Sequence, residues 1–318
     1  MKFLKTTIRF TGILIFLYII SLINKKELLS IFTYKIHLTS FIISIALLPV
    51  GVIIKSYRWF VISKAFDTKL SFLNAYYIYL KSLVYRNISP GGIGGDISRI
   101  IHIKNYEALD ITKSIIIILL DKIYDLIFIF FLGMIVLLYH FYKDYLLLFL
   151  FSVSNLIIIY FLINLFLNNQ KMLSFLKKIK FISAPELFNS FEIIKKKLSL
   201  TLNIKCIVIT FISQIIIYIQ VYFICKALYL EFAIYYIVLI SSLTALISFL
   251  PISIAGIGNR DALVIYIFSL SNIKIEYAVL FSALYLIVFY IGTSILGGLT
   301  FFFNPLNRMK QNKVNVKS

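Results

Sequence analysis

Two stretches of this chain concentrate the residue types that bind or balance charge. Asn87–Arg99 reads N-I-S-P-G-G-I-G-G-D-I-S-R, and Pro251–Asp261 reads P-I-S-I-A-G-I-G-N-R-D, with the two prolines 161 residues apart. Neither can run as an uninterrupted helix, because proline lacks the backbone donor and each interior glycine costs about 1 kcal/mol. In the first stretch Asp96 and Arg99 are three apart and share a face of a helix starting near Gly94. Pro90, Gly91, Gly92, Gly94 and Gly95 precede them. A glycine-rich helix start offers backbone amides and a positive dipole end to an anion such as a phosphate. Arg99 would add a charge-assisted contact to the same anion. The structural alternative is that Asp96 caps the helix and simply pairs with Arg99. In the second stretch Pro251, Gly256 and Gly258 lead into Arg260 and Asp261. Adjacent residues point to different sides of a helix. One is therefore expected to face a ligand, and the other to pair with a neighbouring helix. For Asp261 the expected partner is Arg99, Lys122 or Arg58.

Further charges lie inside or beside apolar runs. Asp121 and Asp125 are spaced i,i+4 and stack on one helix face, with Lys122 beside them. They can hold a cation, carry protons or balance the arginines of the broken segments, and balancing is the expectation. Lys55 and Arg58 follow an apolar run next to Tyr57 and Trp59, the setting of snorkelling interface anchors. Arg58 also belongs with the charge-balancing set. Lys81 and Arg86 flank the approach to the first break, where they attract anions or snorkel. Tyr76, Tyr77, Tyr79 and Tyr85 read as interfacial packing. Cys206 and Cys225 would stand about 28 Å apart on one straight helix, beyond disulfide reach. No metal-ligand spacing surrounds them or the scattered His37, His102 and His140, so no metal and no cofactor is expected. The chain carries no G-x-S-x-G, H-E-x-x-H, P-loop or dinucleotide fingerprint.

The elements holding these residues belong in a bilayer. Of 318 residues 61% are hydrophobic and 14% charged, against about 25% charged in a soluble domain. Several apolar runs exceed the roughly 18 residues that mark a spanning helix. The net charge of +19 sits in tails and short loops, which fits cytoplasmic placement and anionic lipid better than nucleic acid. Lys2, Lys5 and Arg9 precede an apolar run at Ile13–Ile23 without a small-x-small cleavage site, so a retained first helix is expected.

Apolar segments are expected at 10–23, 38–54, 70–84, 114–139, 145–167, 207–228, 232–250 and 277–303. The region 168–205 carries eight lysines against two glutamates, with a spacing that suggests an amphipathic surface helix. The N-terminus, the loops at 55–69 and 168–205 and the tail are the most basic regions, so all are placed inside. The chain between Lys69 and Lys104 then enters and leaves on the inner side, while Glu231 and Lys274 both fall outside. Two hairpins result, each broken by Pro and Gly, entering from opposite faces. This is the pattern of an inverted repeat whose discontinuous helices meet near the midplane. The expected fold is all-α and polytopic, with about six spanning helices plus two broken hairpins. A single transmembrane domain would cover 1–318, with a first half at about 38–167, a basic linker at 168–205, a second half at about 206–303 and a tail at 304–318.

P-G-G-I-G-G-D-I-S-R at 90–99 and L-P-I-S-I-A-G-I-G-N-R-D-A at 250–262 resemble the paired signatures of the flippase-like membrane domain. That domain is the transmembrane region of lysylphosphatidylglycerol synthases and also occurs alone. Arg58-Trp59 and Asp121-Lys122 with Asp125 look like further family positions, and the resemblance runs from about 10 to 303. The family usually has Arg where this chain has Lys122, Arg-Glu where it has Arg260-Asp261, and a small apolar residue at Asn259. No soluble aminoacyl-transfer domain is expected after Phe303.

The resemblance implies translocation of a lipid with a polar, phosphate-containing headgroup across a plasma membrane, and the charge bias puts both termini in the cytoplasm. Partners would be anionic, lysyl- or polyprenyl-linked lipids, and a separate synthase or glycan enzyme. The competing expectation is a membrane glycosyltransferase or accessory subunit of lipid-linked glycan synthesis, with an acidic residue such as Asp96 as base or metal ligand. No catalytic residue is assigned, and the absence of an ATP motif leaves an ion, potential or lipid gradient as the driving force.

Overall fold

Serine hydroxyls open two of the helices. Ser71 accepts from the Asn74 N–H at 3.3 Å and Ser199 from the Leu202 N–H at 3.1 Å, satisfying donors that a helix start leaves orphaned. The computed structural model describes residues 35–107, 109, 111–140, 197, 199–249, 253 and 256–302. Its helices are α1 (Leu38–Ala46), α2 (Leu48–Ala65), α3 (Phe72–Asn87), α4 (Ile93–Glu107), α5 (Ile111–His140) and α6 (Leu200–Ala227). Then follow α7 (Ile234–Phe249), α8 (Asn259–Leu270), α9 (Ile275–Leu286), a π-helical turn (Ile287–Gly292) and α10 (Thr293–Phe302). No strand occurs among the described residues.

The order follows the apolar segments, with corrections at the boundaries. The second segment continues through Ala65, with Pro49 in the first turn of α2, where its missing donor is not needed. Helix α6 starts at Leu200, so the end of the expected basic linker is helical and part of a span. The helices expected at 10–23 and 145–167, and the amphipathic one within 168–205 up to residue 196, lie outside the described residues.

Among the described residues three stretches are long and apolar enough to cross a membrane: Leu38–Ala65, Leu200–Ala227 and Ile275–Phe302, each 28 residues. At 1.5 Å per residue each reaches about 42 Å, more than the roughly 30 Å of a hydrocarbon core. Their outer faces stay apolar. Along α6, Ile204, Ile207, Val208, Phe211, Ile212, Ile215 and Ile219 are all exposed. Such a face is suited to acyl chains rather than water.

Helix α6 is the spine. It packs on α1, α2, α5, α7 and α9. Ser44 of α1 donates to the Gln220 carbonyl at 3.1 Å, and the Gln220 amide donates back to the Ser44 carbonyl at 3.0 Å. Two apolar cores result. One joins Val52, Trp59, Ile62, Ile78, Ile117 and Ile209, and the other joins Val221, Ile224, Ile240, Val264, Phe268 and Phe281. Helices α5 and α6 pass through both. Tyr77 and Tyr79, expected at the membrane interface, are both buried within the bundle. The Tyr77 hydroxyl donates to the Thr300 carbonyl of α10.

Candidate functional site

The turn between α3 and α4 is built by Gly91 and Gly92, whose φ values of 59° and 70° lie in the left-handed region. Within it the Gly92 N–H donates to Ser89 O, Ile93 N–H to Pro90 O, Gly94 N–H to the Ser89 hydroxyl and Gly95 N–H to Gly92 O. These amides are therefore spent inside the turn, which corrects the expectation that Gly94–Gly95 present them to a phosphate. Gly94 and Gly95 serve close approach instead. A Cβ on Gly94 would meet the Tyr85 carbonyl at 2.6 Å, and one on Gly95 would meet the Ser82 carbonyl at 2.9 Å.

This packing delivers Asp96 and Arg99 to a buried network of charges. Arg99 donates to Asp96 at 2.9 Å and to Asp121 at 2.8 Å, and Lys122 contacts Asp96. From α2, Arg58 donates through Nε to Asp121 at 2.8 Å and through Nη1 to Asp125 at 2.7 Å and to the Thr210 hydroxyl at 2.9 Å. Lys55 lies 3.6 Å from Asp125. Three helices thus meet through their charges, with α6 adding the Thr210 hydroxyl, and Arg99 also lies over the rings of Trp59 and Tyr79, at 5.6 and 5.2 Å. Arg58 is only 1% exposed. It is a buried partner of the long-helix carboxylates rather than a snorkelling anchor, and Lys55 likewise points inward to Asp125.

A cavity of about 210 Å³ opens beside this network. Of the expected binding residues, Gly91, Gly92, Gly95, Asp96 and Arg99 line it, as do Lys55, Asp121, Lys122 and Asp125. Pro90 and Gly94 belong to the supporting turn and not to the lining. Sequence reasoning missed the second wall, made by Gln214, Ser241, Ser248, Tyr285, Phe289 and Tyr290. Small hydroxyl residues in an apolar run carry no spacing signature, and the tyrosines read as ordinary span residues.

The second break lies one layer behind that wall. Gly256 and Gly258 have φ of 72° and 86°, and Pro251 is outside the described residues. Asp261 accepts from the Gly258 N–H at 2.9 Å and from Arg260 Nη2 at 2.7 Å. The expected pairing of Asp261 with Arg99, Lys122 or Arg58 is therefore corrected. Adjacent side chains curl back to meet each other because the broken helix start leaves an amide for Asp261 to cap. Arg260, 1% exposed, lies over Tyr285 at 4.9 Å and Tyr290 at 5.5 Å, and both rings line the cavity. Among the described residues Arg260, Asp261, Gly256 and Gly258 are not in the lining. The proximity expected between Arg260 and the Asp96–Arg99 pair is thus indirect, through the tyrosine wall.

The π-helical turn shapes that wall. Such turns widen the helix ladder and are frequent at functional sites. Here the Asn87 amide donates to the Tyr290 carbonyl at 2.9 Å and reaches the Thr293 hydroxyl at 2.8 Å. The first residue of one broken stretch thereby holds the wall beside the other.

Long apolar helices around a charged internal cavity define an α-helical polytopic membrane protein. The chain belongs to the family of the lysylphosphatidylglycerol synthase transmembrane region, whose model matches residues 9–297. No curated protein and no solved structure matches it.

Proposed function

We propose that the protein moves a lipid with a polar, phosphate-containing headgroup between the leaflets of the plasma membrane. The observation carrying this reading is a cavity lined by charged side chains inside a bundle of apolar helices. Ionisable residues at membrane depth cost roughly 2.5–3.5 kcal/mol each on insertion scales and mark substrate pathways. At about 210 Å³ the cavity is smaller than the roughly 300–1,000 Å³ of whole-ligand pockets. That size suits a headgroup whose acyl chains remain in the bilayer.

The architecture of this reading is two broken hairpins, α3–α4 and α7–α8, re-entering the membrane as an inverted repeat. A shared local device supports it. Arg99 and Arg260 each lie in a helix that follows a glycine break, pair with a carboxylate of the same helix and lie over two aromatic rings. Both termini face the cytoplasm in this arrangement, in line with the basic loops. The glycosyltransferase alternative asks Asp96 to act as a base, yet Asp96 is held by both Arg99 and Lys122.

The test is leaflet exchange in proteoliposomes carrying labelled phosphatidylglycerol or its lysyl ester. Exchange above protein-free vesicles is expected for at least one lipid. Arg99→Ala, which removes a charged group from the cavity lining, should lower the rate roughly tenfold or more, and Arg260→Ala, which acts through the tyrosine wall, should lower it less. No exchange of either lipid, with sugar transfer from a nucleotide donor instead, would replace this reading by the transferase.

A further inference from the structure

Arg86 lines the same cavity, and its surroundings differ from those of every other cation there. Asp96 is engaged by Arg99 and Lys122, Asp121 by Arg58 and Arg99, and Asp125 by Arg58 and Lys55. Four cations thus share three carboxylates. Among the described residues no carboxylate lies within ion-pair distance of Arg86. Its Nε donates to the neighbouring Asn87 Oδ1 at 3.4 Å, a long bond at the weak end of the range. A guanidinium has five donors arranged as a fork, so most of this one's capacity remains for another acceptor.

The fold makes room for this side chain. A Cβ on Gly92 would lie 2.9 Å from Arg86 Cγ, and one on Gly95 would lie 2.8 Å from Arg86 Cβ. Two glycines of the P-G-G-I-G-G turn therefore clear space for the arginine stem. Asn87, tied to the π-helical turn, fixes the end of the helix that carries it.

We propose that Arg86 is the anchor for the anionic group of the headgroup, and that the cavity consequently favours anionic phospholipids over their cationic aminoacyl esters. This rests on the cavity being the lipid site. A phosphodiester brings one negative charge to a site with surplus positive charge. An aminoacyl ester of the same lipid adds ammonium groups where every carboxylate is already paired, and like charges repel strongly away from water. Gln214, Ser241 and Ser248 line the same space and offer neutral hydrogen-bonding partners to the hydroxyls of a glycerol-type headgroup.

Trp59 is the only tryptophan of the chain and lies against Arg99, so its fluorescence reports on the site. Purified protein in nanodiscs would be titrated with dihexanoyl phosphatidylglycerol, its lysyl ester and inorganic phosphate. The parent lipid should bind roughly tenfold or more tighter than either of the others. Arg86→Gln should weaken the parent lipid by roughly tenfold and the lysyl ester by less than about twofold, with Arg86→Lys intermediate because the fork is lost. The proposal is overturned by a lysyl ester that binds as tightly as its parent, or by inorganic phosphate that does so. It is also overturned if parent-lipid affinity is unmoved by both substitutions. The wild-type ranking decides even if Arg86→Gln fails to fold. Selective binding without leaflet exchange of any lipid would end the translocase reading and leave the anion site standing. Exchange that favours the lysyl ester would do the reverse.

Discussion

Asp121 carries the most consequential charge in the molecule. One oxygen accepts from Arg58 and the other from Arg99, both at 2.8 Å, and all three residues are buried. Removing one partner of a buried ion pair costs about 3–5 kcal/mol, because the remaining charge stays desolvated. Asp121→Asn is therefore expected to lower the unfolding midpoint of the purified protein by several degrees. Asp67→Asn is the control. Its pair with Lys197 is exposed, and such pairs contribute about 0–1 kcal/mol. Asparagine also accepts the positive φ of 62° at that position. Equal shifts for the two variants would refute the network's structural role. The i,i+4 spacing of Asp121 and Asp125 made their common face legible in the sequence. Their partner was not legible, since Arg58 is 63 residues away from Asp121 and sits between Tyr57 and Trp59, which imitate an interface anchor.

Helix-level packing turns on glycine, and here the sequence was legible only in part. That Pro90–Gly95 must interrupt a helix follows from backbone chemistry alone. Whether a glycine serves a left-handed turn, a ligand or a neighbouring helix depends on tertiary distances that no local pattern encodes. Gly91 and Gly92 supply the turn, Gly94 and Gly95 the approach of α4 to α3, and Gly297 a similar approach of α10 to α3. A Cβ on Gly297 would meet the Leu80 carbonyl at 2.5 Å, while one on Gly298 would meet nothing within 4 Å. Gly297→Ala should thus destabilise by about 1–3 kcal/mol through overpacking against backbone that cannot yield. Gly298→Ala should be neutral or stabilising by up to about 1 kcal/mol, through helix propensity. Thermal unfolding of the two variants side by side reads the difference. A loss confined to Gly298→Ala would contradict the observed α3–α10 contact.

At the scale of the whole molecule the question is how the two broken hairpins sit in the membrane. The parallel between Arg99 and Arg260, each after a glycine break and over two rings, fits one device used twice. If the two uses are inverted copies, Lys104 after the first hairpin and Lys274 after the second lie on opposite sides of the bilayer. Both residues are exposed, so cysteines placed there can be labelled. The native Cys206 and Cys225 are free but buried, and so should remain silent to a membrane-impermeant maleimide. Intact cells should label Lys274→Cys, whereas Lys104→Cys should label only after the membrane is opened. Labelling of both from one side would remove the inverted relation. The charge network of α2, α4 and α5 would survive that result, because it rests on contacts within the bundle and not on its orientation. The proposed route by which a headgroup would reach the cavity from each leaflet would not survive it. Only oppositely oriented hairpins give the two faces equivalent access to one central site.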